Sequence, residues 1–231
     1  MTPKLIRISP SIIAVDYNND EILTKALENI ERAGANFVHV DVMDGVFVKN
    51  KTFDYKFVDK LRDKTSLMLD VHLMVENPES VVDKYINAGA DILTIHLEAC
   101  KDVTKVLRHI KEKGVATGIA LSPKTPALKI KDLLETNLVD VVLVMGVKPG
   151  ACGQTFIPGM AEKIAEIREL NKKVFIEIDG GVTTKNVKIL RKMGANIIVS
   201  GKTVFESNNM KKTIRQLKGK GLINNLREYF K

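Results

Sequence analysis

The sequence predicts an α/β fold, a single (β/α)8 TIM barrel in which a parallel eight-stranded barrel is wrapped by outer helices, one domain spanning residues 1–231. Three observations lead there. Eight short apolar runs alternate with amphipathic segments along the whole chain. Most of the runs are rich in Ile and Val and lack polar alternation, as strands buried on both faces do. No linker or break in composition interrupts them. A doubly wound open sheet is the nearest competitor, but it usually carries a Gly-rich turn after its first strand. Here that strand ends in Ser9-Pro10-Ser11-Ile12, without glycine.

The expected strands, in order, are 5–13, 37–43, 67–74, 91–97, 115–121, 139–146, 173–179 and 196–200. The segments between them have readable ends. Asn77-Pro78-Glu79-Ser80 reads as an N-cap, a proline at the first helical position and an acidic first turn. Gly34, Gly89 and Gly194 stand where helices should stop, as left-handed cap residues. Each opens an echo before a strand: Gly34-Ala35-Asn36, Gly89-Ala90-Asp91 and Gly194-Ala195-Asn196. The echo points to a repeated β-α unit. The basic stretch from Lys211 to Lys231 reads as the solvated face of a terminal helix.

Two triplets stand out. His39-Val40-Asp41 closes the second run and Asp70-Val71-His72 closes the third. Residues i and i+2 of a strand share a face, so each triplet aims an imidazole and a carboxylate the same way. Strands rarely bury such groups unless something uses them. The seventh run, Val174-Phe-Ile-Glu-Ile-Asp179, brings another carboxylate to a strand end. In a barrel the C-terminal ends of the strands converge on one mouth. His39, Asp41, His72 and Asp179 therefore meet there, as a two-imidazole, two-carboxylate set suited to Zn²⁺, Fe²⁺, Mn²⁺ or Co²⁺.

The loops at the same mouth suit a phosphate group. Gly150, Ala151, Cys152 and Gly153 follow the sixth strand, Gly180-Gly181 the seventh, and Gly201-Lys202 the eighth. Barrels bind phosphate with such loops and a short helix N-terminus. The net charge of +8 fits an anionic small molecule better than nucleic acid, because the lysines are scattered and aromatics are only 5% with no Trp. No apolar stretch is long enough to span a membrane. Two cysteines, Cys100 and Cys152, and an N-terminus without a signal-peptide pattern make a cytoplasmic location the expectation.

Ser9-Pro10-Ser11-Ile12, His39-Val-Asp-Val-Met-Asp-Gly45, Asp70-Val-His-Leu-Met74, Val147-Lys-Pro-Gly-Ala-Cys-Gly-Gln154 with Phe156-Ile-Pro158, and Ile178-Asp-Gly-Gly181 resemble ribulose-phosphate 3-epimerase. The resemblance runs from about residue 5 to residue 206. It implies an isomerase of carbohydrate metabolism, in the pentose phosphate pathway, that interconverts D-ribulose 5-phosphate and D-xylulose 5-phosphate. Inversion at C3 proceeds by two-base proton transfer through an enediolate stabilised by a divalent metal ion, one per subunit. Carried over by motif, Asp41 and Asp179 are the acid/base pair and ligate the metal beside His39 and His72. Asp70 lies one step deeper, as support for the ligands or as a structural carboxylate. Met43, Met74 and Met145 match methionines that cover the reacting carbons, Ser11 matches a substrate-contacting serine, and His72 borders the substrate. His96 and Glu98 resemble the family's segment after the fourth strand and receive no role. A homo-oligomer is implied as well.

The chain departs from the family pattern in its phosphate loops. Ala151 and Cys152 replace Phe and Gly, Lys202 replaces a serine, and Lys49 stands at a common proline position. Loss of glycine at 152 matters if that position needs positive φ. Lys202 either contacts the substrate phosphate or changes substrate choice. Two alternatives stay open: a 3-epimerase of a hexulose 6-phosphate such as D-allulose 6-phosphate, and a non-catalytic phosphate-ligand-binding barrel.

Overall fold

The structure, a computed structural model, describes residues 5–219. Its eight parallel strands are β1 (Arg7–Ser9), β2 (Phe37–Met43), β3 (Met68–Met74), β4 (Ile92–His96), β5 (Ala116–Leu121), β6 (Val141–Met145), β7 (Phe175–Asp179) and β8 (Ile197–Val199). They form one sheet in the order β1-β8-β7-β6-β5-β4-β3-β2. The ring closes between β1 and β2 through a parallel bridge from Ser11 to His39, with the His39 N–H donating to Pro10 O at 3.0 Å. The barrel expected from the apolar runs is thus the observed one. The first strand is shorter than its apolar run, because Pro10 has no N–H to continue the ladder.

The outer layer, among the described residues, comprises α1 (Asp20–Arg32), α2 (Tyr55–Lys64), α3 (Val82–Asn87), α4 (Val103–Glu112), α5 (Lys131–Glu135), α6 (Met160–Leu170), α7 (Val187–Met193), α8 (Lys202–Phe205) and α9 (Met210–Lys218). α1 shows how sequence sets such a helix. The Asn19 side chain accepts from the N–H groups of Glu21 and Ile22, and Leu23, Ala26, Leu27 and Ile30 form the buried stripe at i, i+3, i+4 and i+7. Asn77 behaves differently from the expected cap. It sits in the left-handed region at φ 54°, its side chain caps nothing, and a single 3-10 turn, Pro78–Ser80, precedes α3. A residue before proline is disfavoured in the right-handed helical region, and Asn tolerates the left-handed one. The terminal basic stretch forms α9 over its first part, and 220–231 lie outside the described residues.

The Gly-Ala-Asx echo has a structural meaning. Backbone N–H groups of Ile8, Leu69 and Ile176 donate to the side chains of Asn36, Asp91 and Asn196 at 3.0, 2.7 and 2.7 Å. Asp140 accepts from Thr117 N–H in the same way at 3.0 Å, though no Gly-Ala precedes it. Each even-numbered strand is therefore entered by an Asx residue that ties down the odd-numbered strand before it. The barrel is built from four βαβα units locked by one repeated contact.

Inside the barrel the alternation is hidden rather than absent. Val38, Val40, Val42, Leu69, Val71 and Leu73 point outward into the main apolar cluster under the helices. Phe37, Ile92, Ala116, Val141, Phe175 and Ile197 form a separate apolar plug at the base of the barrel. Above it, at full burial, lies a polar layer with Ser9, His39, Asp70, Thr94 and Glu177. Parallel strands covered by helices need apolar outward residues, which leaves the inward positions to carry chemistry near the mouth.

Candidate active site

The register of β2 against β3 builds the centre. His39 lies beside Asp70 and Asp41 beside His72, so the two triplets run in opposite senses on neighbouring strands. Asp179 joins them from β7, paired with Met145 of β6. One ligand-type atom from each of His39, Asp41, His72 and Asp179 lies within 4.8 Å of the other three. His72 Nδ1 is 3.2 Å from Asp41 Oδ1 and 4.0 Å from Asp179 Oδ2, while His39 Nε2 is 3.3 Å from Asp41 Oδ1. His39 Nε2 is buried without a hydrogen-bond partner. An orphaned imidazole nitrogen facing two carboxylates and a second imidazole fits a borderline divalent cation.

The surroundings fix how these groups point. Asp70 Oδ2 accepts from Ser9 Oγ at 2.7 Å and from His39 Nδ1–H at 2.8 Å, which leaves Nε2 turned to the cluster. Asp70 is fully buried and stays outside the four-residue group, one layer deeper. Ser11 Oγ donates to Asp41 Oδ2 at 2.6 Å.

The two carboxylates differ in acidity. Burial opposes ionisation of Asp41, but the charges and hydrogen bonds of His39 and His72 outweigh it and hold the carboxyl well below the usual range. Burial and the neighbouring Asp41 charge push Asp179 up to about 7. For His39, burial alone would lower the pKa, yet Asp70 and Asp41 raise it well above the ordinary value. Burial lowers His72. Without a bound cation the site therefore favours ionisation of Asp41 and opposes that of Asp179.

Above the cluster opens a cavity of about 440 Å³. Ser11, Met43, Met74, Met145, Gly150, Ala151, Cys152, Gly153, Gly180, Gly181, Gly201 and Lys202 all line it, together with Asp41 and Asp179. His39 and His72 lie beneath its floor at zero exposure, so His72 reaches the cavity only through the cluster. The loss of glycine at 152 carries no backbone strain. Positive φ falls on Gly150 and Gly153, and Asn77 is the only described non-glycine residue with it. Lys202 opens α8, and its Nζ would stand 3.0 Å from a Cβ at Gly153, so the cation bridges the loops after β6 and β8. Gly181, at φ 66°, has no room for a side chain: a Cβ would meet the Phe156 backbone N at 2.5 Å. Gly181→Ala is expected to cost about 1–3 kcal/mol in chemical denaturation, by forcing the loops after β6 and β7 apart.

One group escaped the sequence reading, and another received no role in it. Glu177, on β7, is fully buried with its Oε1 3.5 Å from His39 Nδ1. Burial and the Asp70 charge raise its pKa well above the ordinary carboxylate value. His96 ends β4 with Nε2 2.9 Å from His72 Nε2 and Nδ1 3.0 Å from Glu98 Oε2. Both had a signal. Glu177 shares a strand face with Asp179, and His96-Leu97-Glu98 repeats the imidazole-x-carboxylate spacing of His39-Val40-Asp41.

Residues 7–205 match the model of the ribulose-phosphate 3 epimerase family. The chain is 38% identical to a ribulose-phosphate 3-epimerase of Bacillus subtilis over 220 residues, covering 93% of this chain and 99% of that protein. It is 40% identical to the chloroplastic ribulose-5-phosphate-3-epimerase of Arabidopsis thaliana, covering 92% of this chain and 76% of that one. Among solved structures, 3-hexulose-6-phosphate synthase from Salmonella typhimurium superposes with a TM-score of 0.66 at 15% identity, covering 92% and 97% of the two chains. That likeness concerns the fold alone.

Proposed function

Since the chain belongs to the ribulose-phosphate 3-epimerase family and is an isomerase of that type, we propose that it interconverts D-ribulose 5-phosphate and D-xylulose 5-phosphate, with Asp41 and Asp179 as the two proton-transferring groups. The observation that carries this reading is the placement of Asp41 and Asp179 in one cluster with His39 and His72, both carboxylates lining the cavity above it. Inversion at C3 needs a base on one side of the sugar and an acid on the other. Two carboxylates at one cavity floor supply both, and the roles exchange when the reaction reverses.

His39, Asp41, His72 and Asp179 are the residues that hold the cation, one per subunit, and Zn²⁺, Fe²⁺, Mn²⁺ and Co²⁺ all suit their nitrogen and oxygen atoms. When bound, a divalent ion supplies Lewis-acid stabilisation of the negative charge that develops on the substrate oxygens. Ser11 holds the Asp41 carboxylate in place through its hydroxyl. Met43, Met74 and Met145 offer an apolar, polarizable and proton-inert surface against the reacting carbons, keeping water from returning a proton at random. Gly150 to Gly153, Gly180-Gly181 and Gly201-Lys202 receive the phosphate of a phosphorylated ketose, with Lys202 as its counter-charge.

The direct assay follows formation of xylulose 5-phosphate from ribulose 5-phosphate by the metal-loaded protein, with a hexulose 6-phosphate measured beside it. Absence of pentose epimerisation sinks the proposal. Lys202→Ala is expected to raise KM about tenfold with kcat nearly unchanged, and Lys202→Ser to raise it less. Equal KM values for all three proteins would remove Lys202 from the phosphate site.

A further inference from the structure

His96 and Glu98 have no part in the proton transfers, yet they stand in line with the cluster. The His96 ring is fully buried, meeting His72 edge to edge with centroids 5.0 Å apart and 30° between planes, and the Phe47 ring lies tilted against it at 4.8 Å. From His72 the contacts run Nε2 to His96 Nε2, then His96 Nδ1 to Glu98 Oε2. The other Glu98 oxygen, Oε1, accepts from the Ser122 backbone N–H at 2.9 Å and from the Thr125 hydroxyl.

A hydrogen bond between two imidazole nitrogens requires a proton on one and a lone pair on the other. The far end of the chain biases its direction. Ser122 N–H can only donate, so Oε1 accepts, and the ionised Glu98 accepts at Oε2 too. His96 therefore carries its hydrogen on Nδ1. His96 then offers a lone pair at Nε2, which accepts the Nε2–H that His72 carries when a cation occupies its Nδ1. Without a cation that tautomer competes with the alternative in which His72 Nδ1–H donates to Asp41 Oδ1 at 3.2 Å.

We infer that Glu98 is a positioning residue: acting through His96, it keeps a lone pair on His96 Nε2 for the His72 Nε2–H and so favours the tautomer that presents the Nδ1 lone pair to a cation in the cluster. His39 receives the opposite treatment, since Asp70 accepts from its Nδ1–H and turns Nε2 toward the cluster. The two imidazoles thus present different nitrogens to one point, each favoured by a carboxylate that does not itself belong to the four-residue cluster. The inference rests on the metal-site reading given above.

Glu98→Gln tests it, because that change keeps shape and reverses polarity. Ser122 N–H still demands an oxygen, so the new amide NH₂ faces His96 Nδ1 and turns the chain around. The expected result is that metal-free Glu98→Gln holds His72 with its proton on Nδ1, read from nitrogen-15 chemical shifts and two-bond correlations of the ring. Its Co²⁺ affinity, measured by chelator competition, should fall about 10- to 100-fold. Glu98→Ala removes the director without reversing it and should lose less. A residue that acts only by packing gives the opposite order, since Gln fills the space of Glu. A Zn²⁺-loaded wild-type protein in which His96, and not His72, carries the shared Nε2 proton, or a Glu98→Gln protein unchanged in both readouts, overturns the inference. The variant's tautomer is read without metal or turnover, so a wild-type protein that binds no divalent ion would refute the metal site and leave this result to be judged separately.

Discussion

Asp179→Asn is expected to lower kcat for pentose 5-phosphate epimerisation by about 10³-fold in both directions, within the range that a positioned acid or base contributes. The loss is symmetric because one face of the sugar needs Asp179 in each direction, as base for one epimer and as acid toward the other. Stability should move the opposite way. In the metal-free protein the folded pKa of Asp179, about 7, lies above that of an exposed aspartate, because burial and Asp41 oppose its charge. A raised folded value means that ionising Asp179 costs folding free energy as pH rises from about 4 through about 7. Asparagine carries no charge to oppose, so the metal-free variant should match wild type near pH 4 and exceed it above pH 7. Denaturant unfolding of both proteins at the two pH values measures the difference. Equal activity of variant and wild type would remove Asp179 from the proton path.

Metal removal is the second large effect. Treatment with a chelator should abolish turnover, and Zn²⁺, Fe²⁺, Mn²⁺ or Co²⁺ should restore it. Addition of ion at about 100 times its dissociation constant should stabilise the fold by roughly 2.7 kcal/mol, or about 5–10 °C in Tm for a chain of this size. The sign with pH follows from His39. Burial opposes its charge, but Asp70 and Asp41 raise its pKa, so protons compete with the ion for the imidazole. Affinity should therefore weaken as pH falls, and calorimetry in buffers of different ionisation enthalpy should show proton release on binding. Full turnover by a protein shown to be metal-free would contradict this part.

The barrel was legible because strands covered on both sides by other structure read as uninterrupted Ile- and Val-rich runs. The Gly-Ala-Asx echo carried more than it promised, since its Asx residues lock pairs of strands, and Asp140 was hidden only by lacking the Gly-Ala before it. The cluster was legible from His39, Asp41 and His72 because period-two spacing puts each pair on one face. Glu177 was passed over because its partners, His39 and Asp70, come from other strands, and no spacing in the chain announces a contact across the barrel. The role of His96 was closed to sequence for a similar reason. Its chemistry lies in which way a hydrogen bond runs, and that depends on Ser122 N–H, a backbone group that every non-proline residue carries. The short 3-10 turn after Asn77 shows the remaining gap, where tertiary packing decides whether a capping signal opens an α-helix.

The central claim is that two different groups, on opposite sides of the sugar, handle the C3 proton. Conversion of C3-deuterated ribulose 5-phosphate in ordinary water tests it most directly, by reading the isotope at C3 of the xylulose 5-phosphate formed in the first turnover. A proton taken by one carboxylate and replaced by the other leaves protium from solvent in the product. Deuterium carried through to the product would mean that one group moves the proton across, and would contradict the assignment of Asp41 and Asp179 as a pair.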